Sequence, residues 1–268
     1  MDPVRAIFLG CGCLVALGAA LTWQGDRVYS ELFILPAIVA AGAYSLAPQL
    51  RWWHWKRNPP DLPTDLAPLL DRFDLYRRLD LAGKREFRRR TFLLREATHV
   101  HGQAIEEIPE DIRVMVAASA ATVGFHREEF LMGDFETIIF YRHYFPSPQH
   151  DVLHCSELHY DDGAIIWTLN VFLRSCIEPQ SFLHLGLYEY SRALMHLEPE
   201  LRQKIGPVCL NYPAIEKLTG FSEKALLEFI GLDVLDLPAI TMVLYHTHHE
   251  LLKIHHPELF GQLEELFA

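Results

Sequence analysis

Residues 6–23, AIFLGCGCLVALGAALTW, run for 18 positions without a charge. As a helix the stretch is about 27 Å long, close to the roughly 30 Å hydrocarbon core of a bilayer. A second uncharged run, LFILPAIVAAGAYSLA at 32–47, follows after a short loop. It is a little short, a deficit that tilt, local thinning or an interfacial residue such as Tyr29 can absorb. Two such runs in tandem predict a transmembrane hairpin within residues 1–50. A signal peptide is the competing reading of the first run, with MDPVR as its n-region and Gly18-Ala19-Ala20 imitating a cleavage site. It leaves the second run unexplained.

The flanking charges orient the hairpin. Arg51, Lys56 and Arg57 alternate with Trp52, Trp53 and Trp55 directly after the second run. Tryptophans suit the headgroup layer and bases the cytoplasmic side. The loop 24–31 holds one base, Arg27, and two acids, Asp26 and Glu31. Both termini and the soluble part are therefore expected on the cytoplasmic side of the inner membrane, in a multi-pass protein with the lipid bilayer as partner. Residues 61–268 carry 19 Lys+Arg and 32 Asp+Glu, a formal charge of −13. An acidic domain is a poor match for a phosphate backbone, so no nucleic-acid partner is expected. The cysteines, Cys11, Cys13, Cys155, Cys176 and Cys209, form neither a disulfide framework nor a zinc-finger spacing.

The juxtamembrane segment 51–63 ends in the linker NPPDLP, which cannot continue a helix. Beyond it, residues 64–268 read as an α+β domain. Residues 65–100 are expected to be helical with a break near Gly83, and their basic run Lys84–Arg90 to be a solvated face or a contact for acidic lipid or an acidic partner. A helix is expected to open at Pro109-Glu110-Asp111 and stop at Gly124. Residues 135–145 and 164–169 look like strands, with a turn at Asp161–Gly163. Helices are expected at 180–197, 222–230, 239–253 and from Pro257 to Phe267. Helices, a few strands, then helices again is an α+β order.

Five segments in this order resemble the Mlc titration factor family of zincin-type zinc peptidases. They are LLDRFDLYRRLDLAGKREFRRRTFLLREATHVHG, EDIRVMVAASAATVGF, TIIFY, SELHYDDGAIIWTLNVFLRS and HPELFGQLEELF, together covering about 66–268. The resemblance implies a zincin-like fold and a zinc-dependent aminopeptidase or peptidase activity. In that family two histidines of a helical H-E-x-x-H grip zinc, the glutamate between them is the general base, and a downstream glutamate completes the ligand set.

The chain departs from this pattern at the metal. Tyr188 and Arg192 stand at the two histidine positions, and only Glu189 matches. The third-ligand position falls on Ile240, or on Asp236 if the alignment slips. The resemblance thus implies the fold without the zinc cofactor. Glu189 and Arg192, three residues apart on one helical face, are expected either to pair as a replacement for the metal or to form an ordinary surface pair. His246, His248, His249, His255 and His256 crowd 11 residues but lack H-x-x-x-H spacing. They read as helical surface, with His246, His249 and His256 as an alternative metal set. His99, His101, His154 and His159 read as surface or strand-edge residues. No Ser-His-Asp motif, P-loop or G-x-G-x-x-G is recognisable.

Three functions follow. The first is a membrane-anchored, catalytically inactive binding, regulatory or scaffold module that takes a peptide or protein in the former cleft. The second is a peptidase with a rearranged metal site. The third is an accessory subunit of an integral membrane complex.

Overall fold

The computed structural model describes residues 3–23 and 33–267. The loop charges Asp26, Arg27 and Glu31, and Tyr29, lie outside them. The chain divides into two compact units, Met1–Pro60 and Asp61–Ala268.

The first unit is helical. Helix α1 spans Pro3–Trp23 and includes a window, Pro3–Ala20, of mean hydropathy 1.8, long and apolar enough to cross a membrane. Helix α2 covers Ile34–Ser45, shorter than the 32–47 run read from the sequence. Leu46 then leaves helical geometry (φ −99°, ψ 12°) and α3 resumes at Ala47–Arg57. Pro48 explains the interruption, since it has no N–H to return to the carbonyl four residues back. The side chains at the helix contact are small or compact. Val4, Cys11 and Gly18 are buried on α1, seven apart; Pro36 and Ala43 are buried on α2, also seven apart. Half-buried Phe33, Ala40, Ala47 and Leu50 extend the same three-four spacing across Leu46. Leu9, Leu17, Leu35 and Ile38 point outward. At the end of α3, the Arg57 guanidinium lies 3.8 Å from the Trp53 ring centre and the Lys56 ammonium 5.5 Å from that of Trp52.

The second unit is α+β. After a 3-10 turn at Ala67–Arg72 come α4 (Asp74–Arg78) and α5 (Leu81–Ala97). The break expected near Gly83 falls instead at Leu79-Asp80, because the Asp80 carboxylate caps α5 by accepting from Gly83 N at 2.7 Å. The basic run is only partly a solvated face. Arg90 donates to the carbonyls of Gly124, Phe125 and Arg127 at 3.2, 2.7 and 2.7 Å, closing the end of the helix that follows.

That helix is α6 (Glu110–Val123), buried on every side from Val114 onward, which its alanines permit. Strands β1 (His99–Gln103), β2 (Thr137–Tyr141), β3 (Ser156–His159) and β4 (Ala164–Thr168) form one sheet in the order β1-β2-β4-β3, with β3 antiparallel to β4 and the rest parallel. β1 corrects the end of the 65–100 helical reading, since α5 stops at Ala97 and His99 and Val100 belong to the strand; its HVHGQ carries one large apolar side chain, so little in it signals a strand. β3 escaped the sequence reading because two of its three buried residues, Ser156 and Glu157, are polar, and only Leu158 is apolar.

Helices α7 (Leu169–Ile177), α8 (Leu185–Leu197), α9 (Pro199–Ile205), α10 (Tyr212–Thr219), α11 (Glu223–Ile230), α12 (Leu237–Thr247), α13 (His249–His255) and α14 (Pro257–Phe267) complete the unit. Two expectations change here. The 180–197 helix starts only at Leu185, and the 239–253 helix is two helices broken at His248.

Helix α8 crosses α6 at Gly186. A Cβ there would lie 2.4 Å from Ser119 Oγ and 2.8 Å from Ser119 Cβ. Gly186→Ala in the full-length protein is expected to lower stability by about 1–3 kcal/mol, read as a lower urea midpoint at unchanged m. An unchanged midpoint would show that the two helices do not meet so closely.

Candidate functional site

The residues singled out by the sequence lie on α8, whose start is set by His184. The His184 Nδ1 accepts from Leu187 N at 3.2 Å, so the imidazole is the N-cap and must hold its proton on Nε2. Burial pushes the His184 pKa down to about 3, which keeps that acceptor available. From Leu185 to Ser191 every residue of α8 is buried, with α6, α12 and β3 packed around it.

Glu189 has no exposed surface, and both of its oxygens are engaged. Oε1 accepts from Ser156 Oγ at 2.5 Å and Oε2 from Arg192 Nη1 at 2.7 Å. Ser156 reaches α8 from β3, so the carboxylate ties the helix to the sheet edge. The pair is therefore a largely buried one, with 19% exposure at the arginine, and not a solvated surface pair. Burial opposes the charge on Arg192, but Glu189, Tyr188, Tyr160 and Asp236 outweigh it and raise its pKa. The guanidinium also sits 5.8 Å from the Tyr160 ring centre and 5.6 Å from that of Tyr188.

Tyr188 is buried, and its hydroxyl accepts from Asp236 N at 3.0 Å. The Asp236 carboxylate caps α12 through Ala239 N at 3.3 Å and pairs with Arg202 Nη1 at 2.8 Å. Ile240 lies one turn into α12 as a fully buried apolar side chain. The residue that meets Tyr188 from α12 is thus Asp236, and Ile240 belongs to the core. The structure brings Tyr188, Glu189, Arg192 and Asp236 together and adds Ser156, Tyr160, Arg202 and His184, which the sequence reading did not single out. Only the N-cap left a local signal, a histidine three residues before the amide it accepts from. The others come from distant segments.

A zinc ion does not fit these residues. The positively charged Arg192 guanidinium lies against the Glu189 carboxylate, and among the described residues no three His, Cys, Asp or Glu side chains come together as a ligand set. Of the C-terminal histidines, His255 is exposed on α13 and His256 half-buried, but the other three are not a helical surface. His246, His248 and His249 are buried, and the break at His248 separates His246 from His249 and His256. Both His246 ring nitrogens lack a partner, and burial, reinforced by nearby Arg78, pushes its pKa to about 3. His248 Nδ1 bonds Thr247 Oγ1 at 2.9 Å, and burial takes its pKa to about 4. His249 Nε2 faces Arg78 Nη1 at 2.7 Å. His154 is also buried, 3.0 Å from Glu157 through Nε2, whereas His99 and His101 stand exposed on edge strand β1.

No protein-family model, curated protein or solved structure matches the chain.

The buried imidazoles fix the response to acid. His184, His246 and His248 have folded pKa values below the 6.5 of the free side chain. The unfolded chain therefore binds protons first, and stability is full above about pH 6.5 and falls as the pH drops toward 4 and 3. Each group contributes a slope of at most about 1.4 kcal/mol per pH unit. His184→Asn keeps a capping acceptor without the titration, so its unfolding midpoint should fall less steeply between pH 6.5 and 4 than the parent's. An identical acid limb would contradict the neutral-cap assignment.

Proposed function

We propose that the chain is a membrane-anchored binding or scaffold module built on a zincin-like fold that has lost its metal. The observation that carries this reading is the state of Glu189. A general base needs a lone pair facing a metal-activated water. Here one carboxylate oxygen takes the Ser156 hydroxyl and the other takes the Arg192 guanidinium. The ion pair occupies the place at which the resembling peptidases hold zinc. The former cleft is then free to hold a peptide or protein without cleaving it.

The anchor reading is a two-helix hairpin. Alone, α2 spans about 18 Å, too little for a bilayer. Joined to the start of α3, the uncharged residues 33–50 span about 27 Å on one contact face, a match for α1. Small residues at the contact and apolar ones outside are the arrangement that lipid favours. Arg51, Trp52, Trp53, Trp55, Lys56 and Arg57 would then lie at the cytoplasmic headgroups, with the acidic domain on that side of the inner membrane.

The test is elemental analysis of full-length protein from alkaline-washed membranes, beside a Tyr188→His/Arg192→His variant. The native protein should stay with the membranes and hold well under one zinc per chain, and the variant should gain zinc on Glu189's helix. Stoichiometric zinc in the native protein, with zinc-dependent peptide hydrolysis, would contradict the reading. A folded variant that takes up no zinc would count against the peptidase ancestry.

A further inference from the structure

We infer that the pocket in front of Arg192 and Arg202 is a binding site for a small oxyanion, a dicarboxylate or a phosphate. The pocket holds about 290 Å³ and is lined by Tyr160, Arg192, Met195, His196, Pro199 and Arg202. No acidic residue is in that lining, although the whole chain carries a net charge of −11. Both guanidiniums do have carboxylate partners, but neither carboxylate lines the pocket. Glu189 is sealed inside α8, and Asp236 caps α12.

Each carboxylate uses one nitrogen of its arginine, Nη1 of Arg192 at 2.7 Å and Nη1 of Arg202 at 2.8 Å. A guanidinium has five N–H donors in a planar fork, so most of this capacity is unspent. Arg192 Nη2 reaches only Tyr160 Oη, at a long 3.4 Å, and its Nε is buried without a partner. Arg202 makes no other hydrogen bond among the described residues. Each arginine is held through Nη1 by its own carboxylate, which leaves Nη2 of Arg192 and the exposed part of Arg202 to meet oxygen anions, favoured partners of guanidinium. Aromatic rings flank the two arginines. The His196 ring lies 4.7 Å from that of Tyr160 and 5.7 Å, edge-on, from that of Phe135. Two cations that share no facing acid suit a dianion better than a cation or an apolar group.

The site rests on the binding-module reading in one respect, that Arg192 belongs to a cleft free of metal. Full-length protein in detergent micelles, titrated calorimetrically at low ionic strength, tests it with succinate, inorganic phosphate and the neutral succinamide. At least one anion should bind one-to-one, succinamide should not, and Arg202→Ala should weaken binding at least tenfold. Arg202 is half exposed, so its loss leaves the core packed; a thermal melt of the variant checks this. Preference for succinate assigns the carboxylate class, and preference for phosphate the phosphate class. Binding of neither anion, equal binding of succinamide, or undiminished binding by folded Arg202→Ala overturns the proposal. Zinc measured on the same sample separates the two readings. A zinc-free protein that ignores both anions fails the pocket alone, and a zinc-loaded protein that binds them fails the metal-free reading alone.

Discussion

A carboxylate sealed from water has to be neutralised where it lies, and Glu189 is such a group. It sits on the middle turn of a helix that is buried along most of its length, facing a sheet edge. Desolvating an ion costs several kcal/mol even after relaxation, so the charge survives only with a countercharge and hydrogen bonds to both oxygens. Arg192 supplies the first and the Ser156 hydroxyl the second. Such pairs add little net stability compared with an apolar replacement, yet losing one partner alone is severe. The pair is therefore better understood as a constraint on its surroundings. Whatever else α8 does, it must hold a guanidinium against its own carboxylate and a serine from β3 within reach.

The surroundings meet that constraint from three sides. Gly186 lets α6 approach α8 more closely than any side chain would allow. The neutral His184 starts the helix one turn before the site, so the register of Tyr188, Glu189 and Arg192 is fixed by an imidazole lone pair. Asp236 links α8 to α12 through Tyr188 and carries the second arginine, Arg202. The consequence for function is an asymmetry of charge. The acids lie inside and the bases lie at the pocket, in a domain whose overall balance is acidic.

The parts legible in the sequence were those with a strong local signal. The apolar run of α1, the alanines of α6 and the isoleucine- and aromatic-rich β2 and β4 all announce themselves by composition or period. The three-residue spacing of Glu189 and Arg192 also made their pairing foreseeable. What stayed hidden depends on distance or on a local exception. Ser156 is 33 residues from Glu189 in sequence, and no pattern joins them. β3 hides behind a buried glutamate, and β1 behind two exposed histidines. The C-terminal histidines misled because residue type suggests a wet surface, whereas tertiary packing buries three of them as neutral rings. In the first unit the seven-residue spacing of Val4, Cys11 and Gly18 was present in the sequence. Its partner face shows only once α2 and α3 are seen to share it across Leu46.

The coupling between Glu189 and Arg192 is measured most directly by a double-mutant cycle. Unfolding free energies would be compared for the native protein, Glu189→Gln, Arg192→Met and the double variant. Arg192→Met alone should cost about 3 kcal/mol, because it strands a buried carboxylate, and the double variant should recover most of that loss. The coupling should then exceed about 2 kcal/mol, well above the few tenths typical of a surface pair. A coupling below about 0.5 kcal/mol would mean that the two groups are independent and that no ion pair stands in place of a metal.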